Sequence, residues 1–250
     1  MTQQHVLVIG GSSGMGLALA ARLLSTGRRV TIAGRSPDRL AAAAAHLTSP
    51  VTGVQADAAR AASPVACIQA DVSVESQVAA LADNTLDHVV VTAADAVGAY
   101  APLPSFTLTA ATAVLATKVL GPWLVAKHLA PALRPGGSLT FTSGIAAYRP
   151  GPGASMIATA NGALESLARS LALELAPIRV NVVSPGWVDT PIWDTLAGPA
   201  KHDRLSAMAA KLPTGRVGTP DDIAQAFLSL LDNPFITGTV LHADGGHRLV

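Results

Sequence analysis

The chain has 250 residues, half of them apolar and 13% charged, a balance that supplies a large core and excludes a solvated disordered chain. Seventeen basic residues against sixteen acidic leave a net charge of +1, with the basic side chains scattered, so neither nucleic acid nor an anionic membrane surface is an expected partner. A single cysteine, Cys67, excludes an internal disulfide framework, and residues 1–5 carry no secretory signal, which makes the cytoplasm the expected location.

In chain order, short β-branched runs alternate with longer Ala/Leu-rich segments of helical period, the pattern of a parallel sheet wound with crossover helices. Strand 5–10 leads through Gly10-Gly11-Ser12-Ser13-Gly14-Met15-Gly16 into helix 14–26. Strand 29–34 is followed by Arg35-Ser36 and helix 37–47. Val54-Gln55-Ala56-Asp57 echoes Ile68-Gln69-Ala70-Asp71. The second copy closes strand 65–69, because Val72-Ser73 then opens helix 74–83 with Val74, Val78 and Leu81 on one face, and residues 48–64 become a surface insertion. Strand 87–92 ends in Thr92-Ala93-Ala94. Residues 96–117 are uncharged, yet Pro102, Pro104 and several Ser and Thr argue against a membrane span. In helix 111–133, Pro122 has no N–H to offer the carbonyl of Lys118, so a kink is expected there. Strand 137–142 runs into Ser143-Gly144, then follow helix 154–175, strand 178–184, a less regular and mobile segment 189–212, helix 219–232 and strand 239–243. All seven strands, including the one holding Cys67, read as buried on both faces. No linker or repeat divides the chain, so residues 1–250 form one α/β domain.

The order strand, glycine turn, helix carries chemistry. Glycines let the main chain approach a pyrophosphate closely, and the free N–H groups at the helix start face its charge, so Gly10, Ser12, Ser13, Gly14, Met15 and Gly16 are expected to cradle a dinucleotide.

The chain resembles the short-chain dehydrogenase/reductase family. The spacing of Gly10, Gly14 and Gly16 carries the resemblance, with Asp71-Val72, Ser143, Asn181-Val182-Val183-Ser184-Pro185-Gly186, Thr190-Pro191, Thr237-Gly238 and Asp244-Gly245-Gly246. It implies a single-domain Rossmann fold that binds NAD(H) or NADP(H) and assembles as a homodimer or homotetramer. It also implies that Asp71 and Val72 border the adenine, that Ala93 and Ala94 lie beneath the ribose, and that Pro185, Gly186, Val188 and Thr190 hold the nicotinamide end. Where the family has Asn-Asn-Ala-Gly, this chain reads Val91-Thr92-Ala93-Ala94, which keeps the small size and loses the amides. An acid after the second strand would bond the ribose hydroxyls; here Arg35 and Ser36 suit a 2′-phosphate instead, which favours NADP(H) over NAD(H). The bland alternative is a solvated surface arginine. The segment 189–212, with Trp187, Trp193 and Leu196, is expected by the same resemblance to close over a small hydrophobic substrate.

The resemblance breaks at the catalytic positions. The family uses a Tyr and a Lys four apart on one helix, a Ser, and an Asn on the neighbouring helix. Here Ile157 and Asn161 stand at the Tyr and Lys positions, Lys118 stands at the Asn position, and only Ser143 is kept. Ile cannot give a proton, and an amide cannot stabilise a phenolate by charge. Lys118 could polarise a substrate or feed a proton relay, or its stem could pack under a loop while its amine pairs with an acid such as Asp95. Tyr148 is a second candidate acid or a lid aromatic, and Tyr100 carries less weight. The dispersed histidines show no ligand spacing, so no metal site is expected, and His242 and His247 read as interface or surface residues. An NADPH-dependent oxidoreductase with rebuilt proton delivery is the leading expectation; a redox-inactive nucleotide-binding partner or sensor and a non-redox lyase or isomerase remain open.

Overall fold

The computed structural model describes residues 3–48, 65–83, 85–94 and 98–250. Strands β1 (His5–Ile9), β2 (Arg29–Gly34), β3 (Ala66–Gln69), β4 (His88–Val91), β5 (Ser138–Thr142), β6 (Arg179–Pro185) and β7 (Val240–Ala243) form one sheet in the order β3-β2-β1-β4-β5-β6-β7. Every neighbouring pair is parallel. The order reverses direction beside β1, so a crevice opens above the carboxyl ends of β1 and β4, where ligands bind in such sheets.

Side chains alternate across the sheet with the strand period. Leu7 and Ile9 of β1 join Phe141 and the helices α5 (Gly121–Leu129) and α6 (Ser155–Glu174) in one core layer. Val6 and Val8 face the other layer, with α1 (Gly14–Ser25), α2 (Pro37–Thr48) and α9 (Pro220–Asp232). Helix α9 starts at a capping box in which Thr219 Oγ1 accepts from the Asp222 N–H and the Asp222 carboxylate accepts from the Thr219 N–H. Phe141 is fully buried at the centre of the first layer. Phe141→Ala is therefore expected to lower unfolding free energy by about 3–5 kcal/mol in a urea titration. A loss below about 1 kcal/mol would mean that the layer is not packed as described.

Five local expectations are corrected. The helix expected over 74–83 is shorter: α3 spans Glu75–Ala79, Val78 and Leu81 are buried, and Val74 is an exposed N-terminal cap. β3 is an exposed edge strand, because among the described residues only β2 pairs with it, and Cys67 is exposed with it. The segment 189–212 is regular, holding α7 (Ile192–Leu196) and α8 (Lys201–Ala209). The helix read as starting at 111 starts earlier, as α4 (Leu108–Leu115), capped by Thr107 Oγ1. The kink expected at Pro122 is absorbed as a π-helical turn, Ala116–Leu120, in which the Gly121 N–H reaches back five residues to the Ala116 carbonyl. A widened turn re-pairs the backbone around the missing proline N–H, and such turns commonly mark functional sites. The insertion 48–64 lies outside the described residues apart from Thr48, as does Asp95.

Candidate active site

A cleft of about 390 Å³ runs along the crevice above β1 and β4. Its floor is the glycine turn, where close approach is built in. A Cβ on Gly16 would meet the Gly10 carbonyl oxygen at 2.4 Å and Thr92 Oγ1 at 2.5 Å; one on Gly10, whose φ is +92°, would meet the Ala93 nitrogen at 2.6 Å. Ser12, Ser13, Gly14 and Met15 complete that wall, and Asp71, Val72, Ala93 and Ala94 line the opposite side. Thr92 takes over the strand support that the family's amides provide, since its Oγ1 donates to the Ile9 carbonyl at 3.2 Å. The Asp71 carboxylate holds its own turn by accepting from the Ser73 N–H and hydroxyl. Arg35 and Ser36 line the far end, joined by Arg39 from the first turns of α2, whose Nη2 donates to Ser13 Oγ at 2.7 Å. Together these features form a cradle a dinucleotide fits, with guanidinium groups and no acid directly after β2.

Met15, Thr92, Ala94, Thr190 and Ile192 border this cleft and also a second cavity of about 810 Å³. One continuous groove therefore joins the coenzyme cradle to a substrate-sized space. Pro185, Gly186 and Val188 lie on the second cavity's wall. Gly186 is required there because a Cβ would strike the Asp244 backbone at 2.7 Å. Trp187 and Trp193 pack against each other with ring centroids 4.4 Å apart, and with Leu196 they give the cavity its apolar roof.

Lys118, Ser143, Tyr148, Ile157 and Asn161 all line this cavity. Lys118 is only 4% exposed, and its Nζ donates to the Thr142 carbonyl at 2.7 Å and the Ser143 carbonyl at 3.4 Å, with no ion pair to any described acid. Burial lowers its pKa to about 8. The π turn projects Lys118 inward from α4 and α5 to reach those carbonyls. Ile157 and Asn161 sit one turn apart on α6. Asn161 Nδ2 donates to the Gly144 carbonyl at 3.4 Å, leaving its buried Oδ1 without a partner among the described residues.

Glu165 is the residue that the sequence reading passed over. One turn beyond Asn161 and 5% exposed, it accepts from Ser143 Oγ at 2.6 Å on one carboxylate oxygen and from the Tyr148 hydroxyl on the other. Desolvation, then the Glu165 carboxylate, push the Tyr148 pKa up to about 12, so Tyr148 is a weaker acid than a free tyrosine. His242 packs edge-on against its ring with centroids 4.8 Å apart, and burial lowers the His242 pKa. His247 and Tyr100 line the cavity, and His242 meets it through the Tyr148 ring. Arg39 was missed as well; its spacing four residues after Arg35 on the opening turn of a helix was the available signal.

Comparison with known proteins agrees with this geometry. Residues 10–248 match the family model described as Enoyl-(Acyl carrier protein) reductase. The short-chain dehydrogenase/reductase malC of Malbranchea aurantiaca is 37% identical over 253 residues, covering 98% of this chain and 95% of that protein. A solved structure of the MalC reductase/Diels-Alderase from the same organism superposes with a TM-score of 0.90 at 35% identity, covering 99% of this chain and 97% of that one. A small-chain dehydrogenase solved in complex with NADPH superposes with a TM-score of 0.77 at 30% identity over all of both chains.

Proposed function

The chain belongs to the short-chain dehydrogenase/reductase family, and from that premise we propose an NADPH-dependent oxidoreductase that acts on a small, hydrophobic carbonyl, imine or activated alkene, with proton delivery by Lys118 beside Ser143. The observation that carries this reading is a buried, titratable amine on the wall of a cavity continuous with the coenzyme cradle. The nicotinamide, when bound, supplies the hydride. The protein's own share is to orient that ring through Pro185, Gly186, Val188 and Thr190, to exclude water with Trp187 and Trp193, and to present a proton at Lys118 Nζ. Desolvation makes that proton easier to give at neutral pH than one from a solvated lysine. Purified protein mixed with NADPH and a panel of ketones, enones and cyclic imines tests the reading. Loss of the reduced coenzyme's absorbance with members of one class supports it, and an unreactive panel refutes it.

Coenzyme choice rests on Arg35 and Arg39, which face the end of the cleft where a 2′-phosphate would lie. The double variant Arg35→Ala, Arg39→Ala is expected to weaken NADPH binding by about 10–100-fold while leaving NADH within about twofold, since only the phosphate loses charge-assisted bonds. Fluorescence titration with both coenzymes checks it; an equal loss for both would assign the arginines a general packing role. Exposed Leu120 and Trp123 near α5, together with Leu173 on α6, support a homodimer or homotetramer through those helices.

A second activity in the same cavity is favoured by one observation. The space is large and apolar, as needed to hold a flexible substrate folded for ring closure, and MalC is described as both reductase and Diels-Alderase. Such closure asks only for shape and exclusion of water.

A further inference from the structure

The Ser143 and Tyr148 hydroxyls carry one proton each, and both protons point away from the cavity, toward Glu165. Both side chains border the cavity, whereas Glu165 lies behind them. What they present to a ligand is therefore oxygen lone pairs. A carbonyl oxygen placed against those two hydroxyls would face two acceptors and gain no hydrogen bond from either.

The charge balance points the same way. Glu165 is 5% exposed, and among the described residues no cation forms an ion pair with it. His242 is held toward its neutral form by burial. Arg169 and Arg248 act on Tyr148 only through the longer-range field. Lys118 spends its hydrogen bonds on the Thr142 and Ser143 carbonyls.

We propose that the Ser143–Tyr148 wall, polarised by Glu165, is a binding site for a nitrogen-centred hydrogen-bond donor, a protonated amine or an N–H iminium. The assignment rests on the reductase reading for its place beside the coenzyme, and it makes nitrogen compounds the preferred members of that substrate class. Glu165 acts here as a positioning residue: it fixes the direction of two hydroxyl protons and supplies the negative field, without itself lining the cavity.

Two ring compounds of matched size isolate this feature. 1,2,3,4-Tetrahydroisoquinoline, protonated at neutral pH, donates from nitrogen, whereas isochroman carries an ether oxygen at that position and can only accept. Quenching of the cavity tryptophans Trp187 and Trp193 reports binding of either to the protein saturated with NADP+. The wild type is expected to bind the ammonium compound at least about tenfold more tightly than the ether, the order of one charge-assisted bond. Glu165→Gln removes the charge and turns an amide N–H toward one hydroxyl, so the ratio should fall to about one. Tyr148→Phe, a change at a half-exposed side chain that leaves the core intact, should lower the ratio about threefold and stands as the second test if Glu165→Gln does not fold. Equal binding of both compounds by the wild type, or an unchanged ratio in folded Glu165→Gln, would overturn the assignment. The readout needs no hydride transfer, so it separates from the reductase reading: the ratio can hold while the reduction panel is silent, and the panel can respond while the ratio is one.

Discussion

With a ketone or enone acceptor, Lys118→Met is expected to lower kcat by about 10²–10³-fold, because the reaction then lacks a positioned proton donor. An N–H iminium acceptor, which already carries its positive charge, should lose less than about tenfold in the same variant. The fold should survive. Methionine fills similar volume, and removing a desolvated charge is neutral or stabilising, so the melting temperature should stay level or rise. The pH behaviour carries a second signature. In the wild type, ketone reduction should be level below about pH 8 and decline above it as the Lys118 ammonium is lost. Stability has its own sign: the folded pKa of about 8 lies below the ordinary lysine value of 10.5, so between these limits the unfolded chain binds the extra proton and stability rises with pH. Below about 8 both states are protonated and the full penalty of burying the charge is present. Lys118→Met should lack both effects. Steady-state rates and urea midpoints taken across that window check the pair, and a variant with wild-type ketone turnover would remove Lys118 from the chemistry.

Gly16→Ala is expected to abolish coenzyme binding, with affinity reduced more than about 100-fold, since the added methyl would lie within 2.5 Å of the Gly10 carbonyl and Thr92 Oγ1. Both neighbours are fixed: the Gly10 N–H bonds the Ala33 carbonyl, and Thr92 Oγ1 bonds the Ile9 carbonyl. The turn would have to open, which displaces the N–H groups meant for the pyrophosphate. Gly27→Ala is the control. Unlike Gly16, Gly27 has a positive φ, of +78°, and nothing lies within 4 Å of its missing Cβ. It should cost about 1 kcal/mol of stability from backbone strain alone and leave coenzyme affinity unchanged. Calorimetric titration of NADPH into both variants separates crowding at the cradle from a general intolerance of alanine. Wild-type affinity in Gly16→Ala would place the pyrophosphate elsewhere.

Much of this was legible in the chain because strand and helix write different periods into sequence. The alternation of Val6 and Val8 against Leu7 and Ile9 sends adjacent residues to opposite core layers, and Gly10, Gly11 and Gly16 sit where contacts under 3 Å permit nothing larger. The residues lining the cleft were readable for the same reason: they follow strand ends. The wall of the second cavity was harder. Glu165 in an Ala- and Leu-rich helix resembles a solvated surface residue, and its hydroxyl partners lie 22 and 17 residues earlier in the chain, beyond any local pattern. Pro122 announced a disturbed helix but not its form, because the choice between a kink and a π turn depends on what Lys118 gains by facing inward. The exposure of β3 was hidden as well, since an edge strand and a central one can carry the same apolar run and only the sheet order tells them apart.

In the proposed reaction, hydride passes from a coenzyme in the β1–β4 crevice to a substrate in the adjoining cavity. Its most direct test supplies NADPH deuterated at the transferable position of the nicotinamide, together with the most reactive acceptor, and reads the product by mass spectrometry and NMR. One deuterium at the reduced carbon, with none in the Gly16→Ala reaction, is the predicted result. Product without the label, or no product while NADPH binds saturably, would contradict it.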